Sequence, residues 1–120
     1  MKDSILLSKA EDFAVEIVNL HKGLTKKKKE FQIADQIKRS GTAIGALVCE
    51  AIYAESSADF VHKLKIGLKE SHETAYWLRV LYRAEYLNEE EFEKLKDKNE
   101  EIKRMLIASI NTKLANVEKR

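Results

Sequence analysis

Apolar side chains recur at intervals of three and four residues along almost the whole chain, and no proline interrupts them. That spacing stacks side chains on one face of an α-helix. With no proline and only four glycines, helices can run for many turns before anything breaks them. The pattern predicts an all-α chain of four helices. The first runs from Ser4 to about Gly23, with Leu6, Ala10, Phe13, Ile17, Leu20 and Leu24 on one face and Gly23 as its C-terminal stop. The second runs from about Glu30 to Glu55. A third starts near Ser56, with Ser56 or Ser57 as N-cap, and continues to about Glu85. The fourth starts at Asn88, with Glu91 three residues on and Glu89 to Glu91 opposing the positive end of the helix dipole. Phe92, Leu95, Asn99, Ile102, Leu106, Ile110, Leu114 and Val117 form its seam. Four amphipathic helices with short connections give an antiparallel up-down-up-down four-helix bundle. A length of 120 residues, 44% hydrophobic and 35% charged, suits one domain over residues 1–120.

Several chemistries are not supported. Cys49 is the only cysteine, so neither an internal disulfide nor a zinc site of several cysteines can form. A reducing cytoplasm is the expected compartment. The N-terminal segment does not read as a signal peptide, and no apolar run reaches the ~20 residues of a membrane span, so no membrane partner is expected. A di-iron bundle needs Glu-x-x-His on two helices, and none of His21, His62 and His72 has a Glu three residues before it. Gly41 to Gly45 lacks the Lys-Ser/Thr ending of a phosphate loop, and no Gly-x-Ser-x-Gly elbow is present. Cys49 lies in the most apolar stretch and reads as a buried, inert thiol. The expectation is a non-catalytic protein with no catalytic residue, metal or cofactor.

Two features point outward instead. From Thr42 to Ala54 only Thr42 and Glu50 are clearly polar. A helix apolar nearly all round is buried all round, so this stretch predicts a covering subunit, with Gly41, Ile44, Gly45, Val48 and Ile52 at the oligomer interface. A crowded monomer core is the alternative. The second feature is charge. His62, Lys65, Lys69, His72, Tyr76, Arg79 and Arg83 alternate at three and four and form one stripe without an acid. Between Lys22 and Arg39, seven Lys or Arg stand against Glu30 and Asp35, and Lys26, Lys27, Lys28 and Lys29 are consecutive. A solvated surface accounts for both, as does an RNA or DNA backbone neutralising Lys65, Lys69, Arg79, Arg83 and the lysine run, with His72 or Tyr76 stacking on bases. A protein-interaction or scaffold module that binds no nucleic acid is the competing reading.

The stretch Asp35-Gln36-Ile37-Lys38-Arg39-Ser40-Gly41-Thr42-Ala43-Ile44-Gly45-Ala46-Leu47-Val48-Cys49-Glu50-Ala51 resembles the pattern Q-hydrophobic-x-R-S-x-x-S-I-G-x-N-hydrophobic-x-E-A. Asp59 to Leu78 resembles D-F-hydrophobic-x-K-L-x-I-A-L-K-E-x-x-E-T-x-Y-W-L. Both belong to the four-helix-bundle family encoded in intervening sequences of bacterial 23S ribosomal RNA genes, often labelled ribosomal proteins. Ala43 and Leu47 depart from it, standing where the family often has Ser and Asn. The resemblance implies a ring-like homopentamer and kinship with the accessory variability determinant proteins of diversity-generating retroelements, which are basic pentamers that bind nucleic acid and a reverse transcriptase. Arg39, Lys63, Lys69, Glu70, Glu73, Tyr76 and Trp77 match its motif positions.

Overall fold

In the computed structural model, which describes residues 2–118, the chain forms helices α1 (Lys2–Lys26), α2 (Gln32–Ile52), α3 (Ser57–Arg83) and α4 (Glu89–Glu118). Consecutive helices pack side by side and α4 returns to α1, in a body 53 × 22 × 20 Å. Contacts fix the directions. Ile17 meets Gly41 and Ala10 meets Gly45 between α1 and α2. Ser40 pairs with Thr74, and Glu50 with Lys63, between α2 and α3. Tyr82 stacks on Phe92 while the Lys113 ammonium sits over Phe60 between α3 and α4. Each pairing runs antiparallel, as the short connections require. No strand occurs among the described residues.

Local chemistry sets the helix starts. Ser56 has an extended backbone, and its Oγ accepts from the Asp59 N–H at 3.0 Å. Asn88 Oδ1 accepts from the Glu91 N–H at 2.8 Å, and Glu91 Oε1 accepts from the Asn88 N–H at 3.1 Å, a reciprocal box that satisfies two otherwise orphaned donors. At α2 the cap comes from outside the helix: Glu30 Oε1 accepts from the N–H groups of Ile33 and Ala34 at 2.7 and 2.9 Å. Gly23 does not stop α1, which continues to Lys26; the chain turns at Lys29, whose φ is 56°.

The core holds Phe13, Ile17, Ile37, Ile44, Leu64, Leu78, Leu81, Ile102 and Leu106, all essentially sealed from solvent. Phe92 to Ile110 of the α4 seam are buried as expected, but Leu114 and Val117 are 40% and 45% exposed. They lie on the last turns of α4, beyond most of the cover that α3 supplies from Ser57 onward. Among the described residues no buried side-chain polar atom lacks a partner.

The expected oligomer interface on α2 needs correction. Gly41, Ile44, Gly45 and Val48 are buried within the chain itself. A Cβ on Gly41 would stand 2.9 Å from Ile17 Cγ1 and Cγ2, and one on Gly45 would stand 3.4 Å from the Ala10 carbonyl oxygen. The glycines therefore admit α1 of the same chain. Of the five residues only Ile52 reaches the surface. The outer face of α2 carries Ala46, Cys49, Glu50 and Tyr53, all exposed, so Cys49 is not the buried thiol expected. Apolar composition misled because the outward residues Ala46 and Cys49 are small and expose little greasy area. Among the described residues no helix is long and apolar enough to cross a membrane, and no cluster of His, Cys, Asp and Glu could hold a metal ion.

Candidate nucleic-acid interface

Two acids of α3, Glu70 and Glu73, face α2. Arg39 Nη1 donates to Glu70 at 2.8 Å, Arg39 Nη2 donates to Glu73, and Trp77 Nε1 donates to Glu73 Oε2 at 3.0 Å. The Trp77 N–H, followed by the Arg39 guanidinium, holds the Glu73 carboxyl below its ordinary value, and the paired carboxylates raise Arg39. Lys63 reaches Glu50 at 3.4 Å on the same seam. Four residues that match the family pattern, Arg39, Glu70, Glu73 and Trp77, thus form a clamp between α2 and α3.

With Glu70 and Glu73 committed there, α3 presents the basic stripe to solvent. His62, Lys65, Lys69, His72, Tyr76, Arg79 and Arg83 are all exposed. From first to last they cover about 32 Å of helix. Among the described residues no carboxylate lies within ion-pair distance of Lys65, Lys69, Arg79 or Arg83. Other basic residues do find acids: Lys9 pairs with Glu101, Lys94 and Lys98 with Glu16, and Lys103 with Glu100. Tyr76, Arg79, Val80, Arg83 and Ala84 line a shallow cleft of about 450 Å³. Tyr76 is half exposed and meets the Trp77 ring edge to face, with centroids 4.9 Å apart and planes at 70°.

The lysine run sits at the Arg83 end of the bundle. Lys26, Lys27, Lys28 and Lys29 are exposed, and Lys28 Nζ donates to the Tyr86 carbonyl in the α3–α4 connection. The fold thereby brings the run and the C-terminal end of the stripe to one end of the molecule. Glu85 and Glu91 flank Lys28 in a depression there and offset part of its charge. At the opposite end, His62 and Lys65 border a groove of about 350 Å³ with Val61, Leu114 and Val117. Phe31, outside the site residues predicted from sequence, is 54% exposed two positions beyond Lys29. An aromatic residue next to consecutive lysines was the available signal.

The model of the 23S rRNA-intervening sequence protein family matches residues 2–108. A crystal structure at 1.70 Å of a protein of unknown function from the S23 ribosomal protein family of Bacteroides thetaiotaomicron is similar, with TM-score 0.91 and 49% identity over 92% of this chain and 99% of that one. No functionally curated protein matches the sequence.

Proposed function

Because the chain belongs to the family of 23S rRNA-intervening sequence proteins, we propose that it is a non-catalytic protein that binds nucleic acid through the exposed basic face of α3. One observation carries the reading: Lys65, Lys69, Arg79 and Arg83 share an exposed face and, among the described residues, have no carboxylate partner, whereas neighbouring Arg39 and Lys63 do. Like charges one turn apart repel by a few tenths of a kcal/mol per pair. A phosphate backbone relieves that repulsion and releases its own counterions as it docks. Lys26 to Lys29 extend the positive surface beyond Arg83. The protein acts in the cytoplasm, where the exposed Cys49 thiol stays reduced.

The test is an anisotropy titration of labelled RNA and DNA oligomers against wild type and the Arg79→Glu/Arg83→Glu variant. Binding is expected to fall by well over tenfold in the variant with helix content unchanged. Equal binding by both proteins would remove α3 as the site.

A second reading, a self-associating scaffold without nucleic acid, has its own support. Ile5, Ile52, Tyr53, Leu114 and Val117 are large, exposed and gathered at the end of the bundle away from the lysine run. We propose that this end contributes to a homo-oligomer, with the pentamer implied by the family resemblance as the expected size. Light scattering decides: a mass several times 13.8 kDa supports assembly, and a monomer removes it.

A further inference from the structure

We infer that the nucleic acid taken by the α3 stripe is single-stranded, with one unpaired base stacked on Tyr76 and the flanking phosphates held by Lys69 on one side and Arg79 and Arg83 on the other. The inference rests on the nucleic-acid reading proposed above and goes beyond it by naming the form of the ligand and the residue that selects it.

Tyr76 stands in the middle of the stripe, seven residues from Lys69 and seven from Arg83, and so about 10 Å along the axis from each. It is the one large aromatic residue on that face and is half exposed. Its ring is positioned by a chain of contacts. Tyr76 packs edge to face on Trp77, Trp77 donates to Glu73, and Glu73 accepts from Arg39 of α2. A ring held in this way loses little freedom when a base lands on it, so more of the stacking energy appears as affinity. The cleft beside it is lined by Arg79 and Arg83, whose guanidinium groups suit phosphate oxygens.

A duplex makes poor use of this arrangement. Its base faces are stacked internally, and the deep, narrow major groove of A-form RNA does not admit side chains to its bases. Tyr76 would then press apolar area against a phosphate backbone. The stripe also lacks Asn and Gln, the side chains that read adenine edges in a DNA major groove. An unpaired strand offers base faces and phosphates in alternation, which matches Lys69, His72, Tyr76, Arg79 and Arg83 in order. Neither a ring face nor a guanidinium distinguishes ribose from deoxyribose, so RNA and DNA single strands should bind alike.

The experiment compares wild type, Tyr76→Ala, Tyr76→Phe and Arg79→Glu/Arg83→Glu against an unstructured RNA 12-mer, the same sequence as DNA, and a blunt RNA duplex of equal length. Trp77, the only tryptophan, reports on the site through its emission. Wild type should bind the single strands more tightly than the duplex, with a change in Trp77 emission. Tyr76→Ala should lose about tenfold for single strands, within the range expected of base–aromatic stacking, and nothing for the duplex, while Tyr76→Phe retains affinity. Tighter binding of duplex, binding restricted to RNA, or a Tyr76→Ala variant indistinguishable from wild type would each overturn the inference. In that last case a continued loss in the Arg79→Glu/Arg83→Glu variant would leave the nucleic-acid reading standing. If the arginine variant too binds as wild type, both fail together.

Discussion

Asn99 of α4 grips Ser71 of α3 twice: Ser71 Oγ donates to Asn99 Oδ1 at 2.9 Å, and Asn99 Nδ2 donates to the Ser71 carbonyl at 3.0 Å, with both residues sealed from solvent. A polar pair in an apolar seam fixes which turn of α4 lies against which turn of α3, since any slip strands both groups. Asn99→Ala leaves the Ser71 hydroxyl unsatisfied beside a small void and should cost about 2–3 kcal/mol. Ser71→Ala strands only the amide oxygen and should cost about 1–2 kcal/mol. Ser71→Ala combined with Asn99→Leu removes both polar partners and should recover much of the loss. Urea melts of the three variants check this; equal, additive losses would show that the pair is not coupled.

The glycines predict effects of opposite sign. Gly41→Ala places a methyl 2.9 Å from two carbons of the branched Ile17 side chain, which is packed on every side, and should destabilise by about 1–3 kcal/mol. Gly23→Ala meets nothing within 4 Å and sits in regular helix, so it should stabilise by about 0.5–1 kcal/mol. Thermal melts of the two single variants, moving in opposite directions, are the expected result.

The features legible in the sequence were those whose causes are local. Asn88 with Glu91, and Ser56 ahead of Asp59, form caps within four residues, so their spacing sufficed. The stripe from His62 to Arg83 was legible because helical period alone places its residues on one face. What failed depended on distant residues. The stop at Gly23 was misplaced because nothing there requires a left-handed backbone, whereas Lys29 adopts one where the chain reverses. The inward direction of Gly41 and Gly45 depends on Ile17 and Ala10, which pattern cannot pair with them. Nor does sequence reveal that Glu70 and Glu73 are claimed by Arg39, over 30 positions earlier.

Glu73 gives the pH prediction. Hydrogen bonds from Trp77 and Arg39 lower its folded-state pKa below the ordinary 4.5. A lowered carboxylate contributes stability that is fully present above the unfolded value and is lost as pH falls through the folded one. The α2–α3 clamp should therefore be intact at neutral pH and weaken progressively below about pH 4.5. Glu73→Gln should be less stable than wild type at pH 7, and the gap should close as the buffer is taken below that point. Trp77 emission during urea unfolding follows the same region directly. A gap that stays constant down to acid would mean that Glu73 ionisation adds nothing to the fold.

Salt dependence supplies the sharpest measure of how many cations touch phosphate. For single strands the slope of log K against log salt is about −0.7 per phosphate neutralised, so Lys65, Lys69, Arg79 and Arg83 acting together predict a slope of about −3. Engagement of Lys26 to Lys29 as well would steepen it. Lys65→Gln/Lys69→Gln should reduce the slope by about half, and Arg79→Gln/Arg83→Gln by a similar amount, if each cation meets one phosphate. Replacing Lys27 and Lys29 by Gln then reports on the loop independently: a further flattening places the strand's end over the α1–α2 connection, and no change confines it to α3. Tyr76→Ala should behave differently from all of these, lowering affinity at every salt concentration while leaving the slope in place, because a stacked base releases no counterions. A slope near zero in wild type would contradict phosphate contact altogether and shift the weight to the apolar end around Leu114 and Val117.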